Sequence, residues 1–163
     1  MAQRRGLTRR AVLGVLGTAG VTAAAGVTLA PRAAGAQALG RNEPVEAALR
    51  RLFGGRAMQD GRALIKLGIP QIAENGASVP VSVEVDAPMT PESYVRHIYL
   101  VADKNRIPIV ARASLTPDSG QAYVAANIRL GETGDVRAIV EQSDGTLLQV
   151  RRAVTVTVGG CGG

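Results

Sequence analysis

"VPVSVEV", residues 79–85, decides the fold. Val79, Val81, Val83 and Val85 alternate with Pro80, Ser82 and Glu84. A period of two sets the four valines on one face of a strand and the other three residues on the opposite face. Upstream, "ALIKLGI" (63–69) is a candidate strand. Downstream come "YVRHIYLVAD" (94–103), "IPIVARASL" (107–115), "QAYVAANIRL" (121–130), "VRAIVEQ" (136–142) and "TLLQVRRAVTVTV" (146–158). The first of these, 94–103, is apolar on both faces, which predicts a central strand. Turn signals separate the runs: "ENG" (74–76), "DAPMTPES" (86–93), "DKN" (103–105), "TPDSG" (116–120), "GETGD" (131–135) and "SDG" (143–145). Asp144-Gly145 between two alternating runs predicts a hairpin. Short strands at this even spacing predict an all-β chain, an immunoglobulin-like β-sandwich, although the Cys…Trp…Cys pattern of antibody domains is absent.

A helical pattern stands before the strands. In "EPVEAALRRLF" (43–53), Val45, Ala48, Leu49, Leu52 and Phe53 recur at spacings of three and four. Asn42 reads as the N-cap, Pro44 suits the first turn, and Gly54-Gly55 ends the helix. One apolar stripe fits a helix covering an edge of the core, or one that binds a partner.

Charge is unevenly placed. The net +6 comes from 19 basic and 13 acidic residues. Arg4, Arg5, Arg9, Arg10 and Arg32 fall in the first 38 residues, which hold no Asp or Glu. The rest keeps 14 basic residues against 13 acidic, and the whole chain has no Trp, one Phe and three Tyr. A nucleic-acid surface is therefore not indicated. Arg9-Arg10 precede an uncharged stretch rich in Ala, Gly and Thr, and Ala36-Gln37-Ala38 fits a small-x-small cleavage site. Residues 1–38 read as a twin-arginine-type signal peptide cleaved after Ala38, for export of an already folded protein to the periplasm. The alternative is a signal anchor that stays attached. The domain is then 39–158, with a terminal arm at 159–163.

Shortage excludes most chemistry. With one His and one Cys, no Cys/His metal cluster forms within one chain. No dinucleotide or Walker glycine motif occurs. His97 alternates with Val95, Tyr99 and Val101, and reads as structural or interfacial rather than as a ligand. Asp86, Glu92, Asp103, Glu132, Asp135, Glu141 and Asp144 fall mostly in turns. No catalytic residue, cofactor or metal is expected.

What remains is the end, "VTVTVGGCGG". Val154, Val156 and Val158 continue an ordinary strand, and at Gly159 side chains stop. Glycine loses the most entropy on ordering and offers nothing to pack, so Gly159, Gly160, Gly162 and Gly163 are expected to form a flexible arm around Cys161. At about 3.3–3.6 Å per residue, Cys161 reaches roughly 10 Å past the strand. With no local cation to activate it, at a pKa of about 8.5 only a few per cent would be thiolate near pH 7. Such a thiol suits a handle for a covalently held group, not a catalyst. The alternatives are an exported binding module whose Cys161 makes an interchain disulfide, and a ubiquitin-like carrier loaded at the Gly163 carboxylate.

With "EAALRRLFGGR", "IAENGASVPVSVEVDAPMT", "SDGTLLQV" and the terminal "GGCGG", the chain from about Glu43 to Gly163 resembles the SoxY family, sulfur-carrier subunits of the periplasmic sulfur-oxidising (Sox) system. The resemblance implies Cys161 as the covalent attachment site on a swinging arm, and no cofactor. It implies SoxZ as heterodimer partner. It also implies SoxXA, SoxB and, where present, SoxCD as transient enzyme partners in thiosulfate oxidation.

Overall fold

The computed structural model describes residues 40–159. The signal segment with Arg9 and Arg10, and Gly160, Cys161, Gly162 and Gly163, lie outside the described residues.

The valine alternation becomes β4 (Val79–Val85), and all four valines are buried. The other strands are β1 (Met58–Asp60), β2 (Ile65–Gly68), β3 (Ile72–Asn75), β5 (Val95–Ala102), β6 (Ile109–Ser114), β7 (Ala122–Ile128), β8 (Gly134–Gln142) and β9 (Leu147–Val158). They form two sheets. The smaller runs β2-β4-β7, and the larger runs β1-β9-β8-β5-β6 with β3 also on β9. This is the expected immunoglobulin-like sandwich with one short N-terminal helix. The β8–β9 hairpin turns at Asp144-Gly145: Gly145 takes φ 89°, which an L side chain resists, and the Thr146 N–H donates to Asp144 Oδ1 at 2.8 Å.

The two-faced apolar run has a specific cause. One face of β5 (Ile98, Leu100, Ala102) packs with the β4 valines between the sheets. The other face (Tyr99, Val101) packs with Ile139, Leu147 and the helix α1 (Val45–Phe53), through Val45, Ala48 and Phe53. The helix therefore covers a sheet face rather than an edge, and the partner-binding alternative loses its apolar stripe to the chain's own core. Phe53 meets Tyr99 edge-on, centroids 5.0 Å apart, a geometry worth about 0.5–1.5 kcal/mol beyond burial.

Three local expectations are corrected. The helix begins at Val45, not Glu43, and Asn42 does not cap it: Pro44 sits at the cap position, with its carbonyl accepting from Ala47 and Ala48 N–H. With its amide turned so that Nδ2 faces the Arg106 carbonyl and Oδ1 the Arg106 guanidinium, Asn42 instead pairs with both at 3.2 Å. Two of the three residues of the "ENG" turn are strand, since Glu74 and Asn75 belong to β3. β1 and β3 were not expected at all. Both run parallel to β9, at its two ends, on the edge away from β8.

Candidate functional site: the end of the last strand

β9 is the longest strand, and the arm continues from it. Its final residues are gripped on both sides. Thr133 Oγ1 accepts from Val156 N–H at 2.9 Å on the β8 side. On the β3 side, Thr155 N–H donates to Gln71 O, and Gly76 N–H donates to Val158 O at 2.7 Å. Gly76 O in turn accepts from Leu130 N–H at 2.7 Å. The 129–131 segment is pinned by buried Asn105, whose Nδ2 donates to Arg129 O at 2.7 Å and whose Oδ1 accepts from Gly131 N–H at 2.9 Å.

Gly159 passes this pinned segment closely. A Cβ at Gly159 would lie 2.4 Å from Gly131 O, nearer than any real side chain comes. Its glycine thus serves clearance as well as the freedom expected of an arm. The stem residues Asn105, Gly131 and Thr133 were missed in the sequence. "GETGD" (131–135) reads only as a turn, because its contact with residue 159 is set by the fold and leaves no local pattern.

His97 sits at the other end of the sheet. It pairs with Glu141 across β8, and Glu141 pairs with Leu147, the first residue of β9. From Leu147 to Val158 the strand runs about 36 Å at 3.3 Å per residue. Cys161 reaches only about 10 Å past Val158, so the sheet keeps the lone His and the lone Cys of one chain apart. His97 contacts Tyr99 edge-on at 5.8 Å between centroids. Burial, aided by the Arg112 cation, holds its pKa below 6.5.

The carboxylates serve structure. Asp103 takes a two-point ion pair from Arg137. Glu141, buried on β8 and not in a turn, accepts from Arg56 Nη1 at 2.9 Å and lies 3.5 Å from Tyr99 Oη. Among the described residues, no three His, Cys, Asp or Glu side chains gather to hold a metal. No described helix is long and apolar enough to cross a membrane.

The solved structure of the sulfur carrier protein SoxY from Chlorobium limicola f thiosulfatophilum is similar. It is 29% identical with a TM-score of 0.58, over 69% of this chain and 96% of that one. A superoxide reductase (neelaredoxin) from Ignicoccus hospitalis is 20% identical, TM-score 0.51, over 64% of this chain and 89% of that one. A putative superoxide reductase from Thermotoga maritima is 18% identical, TM-score 0.51, over 61% and 92%. The two reductases share the fold alone. No curated protein sequence matches the chain. The family profile "Sulfur oxidation protein SoxY" matches residues 49–161, from inside α1 to the cysteine. On that match, the chain belongs to the SoxY family of sulfur oxidation proteins.

Proposed function

We propose that this chain is a periplasmic carrier that holds sulfur intermediates of thiosulfate oxidation covalently on Cys161 and presents them to enzymes. The observation that carries the reading is the join at Gly159. A strand hydrogen-bonded to its last residue passes directly into glycines around the only cysteine. A fixed stem with a thin tip lets a thiol enter a pocket that a folded surface cannot. Membership of the SoxY family supports the choice of sulfur as cargo.

In the cycle implied, thiosulfate couples to the Cys161 thiolate. One S–S bond forms and two electrons leave to the haem enzyme SoxXA, giving a cysteine S-thiosulfonate. SoxB adds water across the terminal S–S bond, releasing sulfate and leaving a persulfide on Cys161. SoxCD, where present, oxidises that sulfur further. The carrier supplies neither redox centre nor acid–base group. SoxZ is the proposed heterodimer partner, and residues 1–38 the twin-arginine signal under which the folded pair crosses together.

The test is a Cys161→Ser protein in cells growing on thiosulfate. Loss of thiosulfate oxidation, with the folded protein still present, is expected. Undiminished oxidation would exclude the carrier role.

A further inference from the structure

β9 carries a gap on its outer edge. β1 ends level with Gln149, and β3 begins level with Thr155. Gln149 O accepts from Gly61 N–H, and Thr155 N–H donates to Gln71 O. Outward groups alternate along a strand, so Arg151 and Ala153 turn their N–H and C=O into the gap, where no described strand meets them. An unpaired edge is a template for another extended segment.

The gap floors a groove of about 1060 Å³ between β9 and the β2 edge of the smaller sheet. Four cations line it: Arg62, Lys66, Arg151 and Arg152. Arg62 is ion-paired with Asp60, and Lys66 with Glu84. The side chains of Arg151 and Arg152 make no hydrogen bond or ion pair among the described residues, while their backbones pair with β8. Tyr123 and Ile72, 49% and 64% exposed, flank the cations. Arginine and aromatic side chains at a groove with open backbone groups are the composition of a contact surface.

The chain's own arm is too short to reach the arginines, since five residues span at most about 17 Å. Arg152 lies six residues before Val158, about 20 Å along the strand, and Cys161 reaches about 10 Å. A symmetric second copy would bring the same unpaired arginines together. A permanent partner would bury a largely apolar surface, whereas this one is lined by cations, as fits a reversible contact that salt would screen.

We propose that this groove docks an acidic, extended segment of the enzymes that act on the arm, so that they grip β9 beside the stem while Cys161 enters their active sites. This rests on the carrier reading above.

The experiment uses the mature chain with its permanent partner, the thiosulfate-coupling haem enzyme, and mass detection of the Cys161 adduct. Arg151→Glu/Arg152→Glu, at exposed positions, should leave the melting temperature unchanged. It should raise the KM for the carrier about tenfold or more at low salt with kcat unchanged. The wild-type KM should climb with salt, the variant's should not, and Arg151→Lys/Arg152→Lys should keep the wild-type salt dependence. Hydrogen exchange at the Arg151 and Ala153 amides should slow only when enzyme is added. Equal KM and salt dependence in the reversed variant would overturn the proposal. So would exchange already slowed by the permanent partner or by a second copy alone. A wild-type chain that never acquires an adduct would sink the carrier reading and this docking with it. One that loads as fast as the reversed variant sinks the docking alone.

Discussion

The two halves of β9 are one strand with opposite fates. From Leu147 to Val150 it lies between two apolar layers, with Leu148 and Val150 toward the smaller sheet and Leu147 toward α1. From Arg151 to Val158 only Val154 is fully buried, and the helix and β1 have been left behind. Hydrogen bonding on the β8 side continues through both parts, whereas apolar packing thins to Val154 and the half-buried Val156. The first half holds the domain together, and the second serves as a stem projecting from it. This division lets the far end be charged and mostly exposed at little cost in stability, because most burial was secured before it.

The sharpest attempt to break the contrast is truncation in the first half. Leu147→Ala opens a hole under the helix at a side chain 2% exposed, and should cost about 2–5 kcal/mol in chemical denaturation. Next is Asn105→Ala. It strips the Gly131 N–H and Arg129 carbonyl of their buried partner and should cost about 1–3 kcal/mol. Amide exchange should quicken around 129–131 and at Gly159, and not near Leu147.

A pH effect follows, and it belongs to the packed end. His97 is held below 6.5 in the fold by burial and by Arg112, with Arg96 adding and Glu141 opposing. The unfolded chain takes up that proton first. The contribution of His97 is thus complete above its unfolded pKa and is lost as pH falls through about 6.5 toward the lower folded value. Denaturation midpoints should drop as pH falls through about 6.5, and His97→Gln should flatten that drop. An unchanged slope would show that His97 is as hydrated as in the unfolded chain.

Smallest is Gly159→Ala. The added methyl meets Gly131 O, but the strand end can fray, so the stability change should stay near 0.5 kcal/mol. The Gly131 amide resonance should nevertheless move. If it does not, Gly159 is not held at the stem.

The sequence revealed what short-range periodicity encodes. The four valines of β4, the two-faced β5 and the Asp144-Gly145 hairpin were all legible, because each face or turn is written in neighbouring residues. β1 and β3 were not. They are three and four residues long and largely exposed, and they exist because β9, far along the chain, offers them an edge. Asn42 misled because its side chain had a distant alternative in Arg106. The same limit divides the candidate site. The lone cysteine among glycines stands out in the sequence, whereas Asn105, Thr133 and Gly131 support the stem through contacts that only the folded chain creates.

The most direct measurement is peptide mapping by mass spectrometry of the protein taken from cells oxidising thiosulfate, without reduction. The account predicts thiosulfonate and persulfide masses on the C-terminal peptide, localised to Cys161, which vanish when thiosulfate is withdrawn. A C-terminal peptide that carries only free thiol or an interchain disulfide throughout turnover, or a sulfur mass placed on Gly163, would contradict it.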